Sequence, residues 1–172
     1  MQNENMIIPD DMEQAAKIAI AMEEEGYKIY TEAANKSKNP LGKATFTAIA
    51  EKELMHKREI EAYYKKIKGE SLDSSKTVKS DILKEIRNSL AKITDLESDL
   101  ISSYEIAMDM ERTGYDFYKK ISEKTTDSDA KKLFEFLAFE ENIHYEIFQD
   151  TYLYLSNPSE WFEKEEKWLV EG

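Results

Sequence analysis

Two histidines occur among 172 residues, and each closes the same short pattern. Residues 50–56 read AEKELMH and residues 138–144 read AFEENIH, so Glu53 precedes His56 by three positions and Glu141 precedes His144 by three. On a helix, that spacing puts the carboxylate and the imidazole on one face, where both can reach a single cation. One E-x-x-H in an acidic helical chain is ordinarily surface charge. Two copies with no spare histidine need a common explanation.

An internal repeat supplies it. A shift of 88 lays IAIAMEEEGYKIY (18–30) on IAMDMERTGYDFY (106–118). Met22, Glu23, Gly26, Tyr27 and Tyr30 meet Met110, Glu111, Gly114, Tyr115 and Tyr118, and without a gap Phe46, Ala50, Glu53 and His56 meet Phe134, Ala138, Glu141 and His144. The halves read as copies of one ancestral helix pair, each contributing two glutamates and one histidine.

Apolar periodicity gives the elements that must position these groups. A first helix is expected over about 11–36, after Pro9-Asp10-Asp11, with Ile20, Tyr27, Tyr30 and Ala34 on its apolar side. A second covers about 41–68, with Phe46, Ile49, Ile60, Tyr63 and Ile67 on one side and Gly69 at its C′ position. A third spans about 97–124 through Ile101, Tyr104, Met108, Tyr115 and Tyr118, and a fourth about 129–155 through Phe134, Leu137, Phe148 and Tyr152. The stretch 69–96 is a polar crossover followed by an amphipathic piece, with Ile82, Ile86, Leu90 and Ile93 at helical spacing. The tail 157–172 reads as one more short helix, with Trp161, Phe162, Trp168 and Leu169 as an apolar strip. The expected fold is all-α: one domain over 1–172, a four-helix bundle from the hairpins 11–68 and 97–155.

Helix rise then brings the acids to one level. Glu23 lies roughly 20 Å before the first turn and Glu53 roughly 18 Å after it, and Glu111 and Glu141 repeat this around the second turn. Glu53 and His56 share a face with Phe46, Ile49, Ile60 and Tyr63, so they point to the core. Burying four anions unpaired costs several kcal/mol each. A pair of divalent cations offsets that cost, and four carboxylates with two imidazoles suit iron or manganese better than a soft-ligand metal. The neighbouring acids Glu24, Glu25, Glu51 and Glu140 read as solvated faces.

Composition narrows the classes. Five glycines and three prolines favour long helices, and the absence of cysteine removes disulfides, thiolate zinc sites and cysteine-ligated iron centres. A formal charge of −12 argues against nucleic acid or an anionic membrane as partner. No basic n-region, apolar h-region or spanning-length apolar run occurs, so a soluble cytoplasmic protein is expected.

At these strings the chain resembles the rubrerythrin branch of the ferritin-like dimetal-carboxylate superfamily, over roughly 11–156. The resemblance implies Glu23, Glu53, His56, Glu111, Glu141 and His144 as metal ligands to two iron ions, with Glu53 and Glu141 bridging. Manganese or a mixed pair suits the same donors. It further implies Tyr30 and Tyr118 as residues bonding a ligand carboxylate; read from the residues alone, they are equally ordinary core tyrosines. Two departures stand out. Rubrerythrins carry an extra glutamate one turn after the third-helix ligand, where this chain has Gly114, so the six-residue set looks more like the symmetric bacterioferritin centre. They also usually add a rubredoxin domain with four cysteines, and no rubredoxin iron is expected here. Haem is not expected either, since the bacterioferritin haem methionine falls on Leu54, with Met55 one residue off.

Three functions are compatible with this pattern. The first is a di-iron peroxidase that reduces hydrogen peroxide with electrons from an external donor such as a rubredoxin-like protein. The second is a ferroxidase that uses oxygen and handles iron, and a manganese catalase-like activity shares the same donor set. The third is a metal-stabilised interaction module without turnover. A homodimer is expected from the resemblance and from the amphipathic linker and tail.

Overall fold

The computed structural model describes residues 6, 8–71, 80–84, 86–88 and 100–171. Its elements are α1 (Met12–Lys36), α2 (Pro40–Lys68), α3 (Leu100–Lys124), α4 (Ser128–Ser156) and α5 (Pro158–Glu171), with helical turns at 81–84 and 86–88 in the crossover. No strand occurs among the described residues. The expected helix boundaries hold to within a residue or two, apart from the start of α3. Residues 97–99 lie outside the described part, as do Leu90 and Ile93 of the expected crossover helix.

The turns are encoded locally. Asp11 caps α1, its side chain accepting from the Glu13 amide. Asn39 accepts from the amides of Leu41 and Gly42 at 2.9 and 3.1 Å, and Pro40 enters at the first helical position, where its missing N–H costs nothing. Asp127, 88 positions later, caps α4 in the same way through Asp129 and Ala130, at 2.9 and 2.7 Å. Gly69 ends α2 at φ 74°, in the left-handed region that L side chains disfavour.

Each hairpin packs mainly on itself, α1 against α2 and α3 against α4, and the hairpins join through α2 with α4 and α1 with α3. This is the arrangement a pseudo-two-fold imposes, and ring geometry repeats it. Tyr30 stacks on Phe46 at 6.1 Å and 28°, and Tyr118 stacks on Phe134 at 5.9 Å and 28°. Phe46, Phe117, Phe134, Phe148, Ile29, Ile49, Ile60 and Ile121 are fully buried. Each such side chain contributes about 1.5–3 kcal/mol against exposure. Ile67, expected on the apolar side of α2, is instead exposed in the last turn of that helix.

The crossover closes over the bundle through Ile82, Leu83 and Ile86, all buried, and Arg87 pairs with Glu25 of α1 at 3.3 Å. The tail helix α5 folds back on α4. The Trp161 indole N–H donates to Asp150 at 3.0 Å and its ring meets Tyr154 edge-on, while Phe162 stays exposed. The Trp168 and Leu169 side chains lie outside the described part.

Candidate metal centre

Long helices with few interruptions hold the six candidate residues in the bundle core. Glu23 sits on α1, Glu53 and His56 on α2, Glu111 on α3, and Glu141 and His144 on α4. None is more than 5% exposed. The imidazoles stack on each other across the pseudo-axis, with centroids 5.3 Å apart and planes 18° apart.

Donor atoms fall into two overlapping groups of four, beside a smaller one of Glu53, His56 and His144. Glu23, Glu53, His56 and Glu141 each offer one atom within 4.8 Å of the others, and so do Glu53, Glu111, Glu141 and His144. Glu53 and Glu141 belong to both groups. His56 Nδ1 lies 3.5 Å from Glu23 and 3.9 Å from Glu141, and His144 Nδ1 lies 3.3 Å from Glu111 and 3.1 Å from Glu53. Two donors sharing a cation at about 2.1 Å, with angles between 90° and 109°, stand roughly 3.0–3.4 Å apart. The second group already has that spacing and the first is slightly wider.

The hydrogen-bond inventory tests whether a cation fits. The Tyr104 hydroxyl aside, every buried side-chain nitrogen or oxygen without a hydrogen bond among the described residues belongs to these six side chains: Glu23 Oε2, Glu53 Oε1, Glu111 Oε2, Glu141 Oε1 and both nitrogens of each histidine. Buried polar atoms are ordinarily partnered, and leaving one bare costs about 1–3 kcal/mol. Concentrating such atoms in one cluster is what a cation site requires, and the four carboxylate charges equal those of two divalent ions. The residues fit the group.

Without a cation the site is electrostatically loaded. Burial pushes the Glu53 and Glu141 carboxyls well above the usual range, and the facing carboxylates, Glu23 on Glu53 and Glu111 on Glu141, push the same way. Burial alone would depress His144, but Glu111 and Glu53 beside its ring raise it to about 10.

Both tyrosines bond to glutamates of the cluster, and they cross between hairpins. The Tyr30 hydroxyl on α1 donates to Glu111 Oε1 on α3, and the Tyr118 hydroxyl on α3 donates to Glu23 Oε1 on α1. Each outer carboxylate thus has one oxygen held by the opposite half and one aimed inward. Burial, and next the carboxylate that each faces, raises both phenols above their ordinary range, so they stand as donors.

Four residues have surroundings that the sequence alone does not convey. A Cβ at Gly26 would stand 2.6 Å from Glu53 Oε2, and one at Gly114 would stand 2.6 Å from Glu141 Oε2. The repeated glycine is therefore the cradle that lets the shared carboxylates lie against α1 and α3. Its recurrence at the 88-residue shift was the available signal. Glu140, expected on a solvated face, is instead largely covered. Its side chain is 13% exposed, and Oε2 lies 3.5 Å from His56 Nε2 and 3.2 Å from Lys52. Burial would raise its pKa, but Lys52 and then His56 hold it below the ordinary carboxylate range. Glu25, paired with Arg87, is likewise mostly covered; Glu24 pairs with Lys28 and Lys57 at the surface, as read.

A small cavity of about 20 Å³ lies against the centre between Gly26 and Gly114, bounded by Tyr30, Tyr118 and the crossover's Ile86. It has room for one water-sized molecule. Neither histidine lines it, so imidazoles and cavity occupy different sides of the carboxylates. A larger cleft of about 300 Å³, lined by Arg112, Lys119, Asn142 and Tyr145, reaches Glu111 and Glu141 from the surface of the second hairpin. Among the described residues no helix is long and apolar enough to cross a membrane.

No curated protein and no solved structure matches the chain. The Rubrerythrin family model matches residues 16–152, which takes in both hairpins and all six buried donors. With two E-x-x-H helices, two partner glutamates and a bare-atom cluster between them, the chain belongs to the rubrerythrin family, a ferritin-like di-iron family.

Proposed function

We propose that the protein is a non-haem dimetal oxidoreductase that reduces hydrogen peroxide, re-reduced by an external donor such as a rubredoxin-like protein. The observation that carries this reading is the cluster of bare, inward-facing atoms on six buried residues, two of them common to both donor groups. Glu23 and His56 would serve one ion, Glu111 and His144 the other, with Glu53 and Glu141 shared. Held there, two ferrous ions would supply the two electrons with which peroxide and two protons become two waters. The chain's part is to hold the donors still and keep bulk water out. Tyr30 and Tyr118 fix the outer carboxylates, Gly26 and Gly114 seat the shared ones, and Ile86 covers the water-sized cavity beside them. Having no cysteine, the chain must receive the returning electrons from outside itself.

A second reading, a ferroxidase with oxygen as oxidant, is favoured by one observation: Gly114 leaves no seventh carboxylate, so the donor set is symmetric. Manganese satisfies the same donors. Anaerobic Fe(II) loading, followed by stopped-flow mixing with peroxide and separately with oxygen, decides between them. Much faster oxidation by peroxide supports the peroxidase. Oxygen as fast or faster overturns it in favour of the ferroxidase, and bound iron that reacts with neither leaves a metal-stabilised interaction module.

A further inference from the structure

The pseudo-two-fold fails at a charged pair of positions touching the centre. Glu140 precedes Glu141, whereas the equivalent residue 88 positions earlier, preceding Glu53, is Lys52. The two meet across the axis at 3.2 Å, and the same Glu140 oxygen lies 3.5 Å from His56 Nε2. Among the described residues His144 has no such neighbour at Nε2. Its carboxylate contacts, Glu53 and Glu111, are both at Nδ1; Nε2 of each imidazole is buried without a hydrogen bond, but among the described residues only that of His56 has a carboxylate oxygen beside it, Glu140 Oε2 at 3.5 Å. A lysine stands where the matching carboxylate would be.

An imidazole that binds a metal through one nitrogen presents an N–H at the other. A carboxylate acceptor there fixes the ring, sets the tautomer and strengthens the ligand, and its loss ordinarily costs 10–100-fold in metal affinity. From the Lys52–Glu140–His56 contact we infer that Glu140 is a positioning residue that makes the two metal positions unequal: the one served by Glu23 and His56 fills first and more tightly than the one served by Glu111 and His144. The inference rests on the dimetal reading above. Donor spacing points the other way, being tighter around His144 by 0.2 Å at the outer carboxylates (3.3 against 3.5 Å) and by 0.8 Å at the shared ones (3.1 against 3.9 Å). Glutamate side chains swing through such differences easily, whereas nothing among the described residues supplies His144 with the missing acceptor, so the acceptor decides the order.

The test is a stepwise titration of metal-free protein with Co(II), followed by visible absorption and calorimetry, with helix content checked by circular dichroism. The wild-type chain should bind in two steps at least tenfold apart. His144→Ala should keep the tight step and His56→Ala should lose it. Glu140→Gln should weaken the first step 10–100-fold and leave the second unchanged. Two equal steps, a tight step that survives in His56→Ala but not in His144→Ala, or an equal loss at both steps in Glu140→Gln overturns the inference while leaving the dimetal centre standing. Failure to bind two ions at all overturns both.

Discussion

Gly114→Ala separates what the fold wants from what the site wants. In the middle of α3, alanine is a better helix former than glycine by about 1 kcal/mol. The added Cβ, however, would stand 2.6, 3.0 and 3.3 Å from Oε2, Cδ and Cγ of Glu141. Real Cβ contacts essentially never fall under 3.0 Å, so Oε2 has to retreat by at least 0.4 Å and the whole arm of Glu141 with it. Turning that side chain off its rotamer costs about 0.5–1.5 kcal/mol, which nearly cancels the helical gain. The metal-free variant should therefore stay within about 1 kcal/mol of wild type, a shift of no more than about 4 °C in its melting midpoint. Metal binding should not escape so lightly, because Glu141 is common to both donor groups. A loss of about 100-fold in each step of a Co(II) or Fe(II) titration is expected, the upper end of what a displaced neighbour of a metal site costs. Gly26→Ala should follow with a smaller loss, since its Cβ clears Glu53 Cγ at 3.5 Å and only the carboxylate end must move. Wild-type affinity in Gly114→Ala, or a greater loss in Gly26→Ala, would refute the reasoning.

Further outcomes follow from the same geometry. Tyr30→Phe and Tyr118→Phe each strip a buried carboxylate oxygen of its donor, so urea denaturation of the metal-free protein should show about 1–3 kcal/mol lost per variant; unchanged midpoints would mean those bonds are not formed in solution. Metal-free protein should melt at lower temperature as pH rises. Glu53 and Glu141 hold protons more tightly folded than unfolded, so they weaken the fold increasingly above the ordinary carboxylate range, and His144 contributes stability below about 6.5 that is gone by about 10; a midpoint that climbs with pH over that window would contradict the assignment. Metal-loaded protein should instead lose its ions on acidification, as protons compete for the donors. Trp161→Ala removes the indole bond to Asp150 and the contact with Tyr154, so hydrogen exchange should accelerate across 158–171 while metal binding stays intact; loss of metal binding would tie the tail to the site.

Most of the frame was readable because it depends on local rules. Asn39-Pro40 and Asp127 announce their turns by capping chemistry, and the 88-residue shift fixes which residues share a level. The six donors followed from that shift and from helix rise. What resisted reading depends on facing surfaces. Periodicity puts Tyr30 and Tyr118 in the core, but it does not say that each would cross to the other half's glutamate. Gly114 was legible as a departure from a family pattern, yet its purpose appears only when Glu141 is seen lying against the bare backbone. Glu140 looks like surface charge beside Glu141 until α2 is set opposite, bringing Lys52 and His56 to it. Ile67 follows the apolar stripe by number, yet it is exposed in the last turn, where Lys66 and Lys68 on either side of it pair with the starts of the neighbouring helices.

Anomalous diffraction at the iron edge from anaerobically loaded crystals tests the central claim most directly. The account requires two peaks per chain, each within bonding reach of Glu53 and Glu141, one beside Glu23 and His56 and the other beside Glu111 and His144. A single peak, or peaks held by other residues, would contradict it.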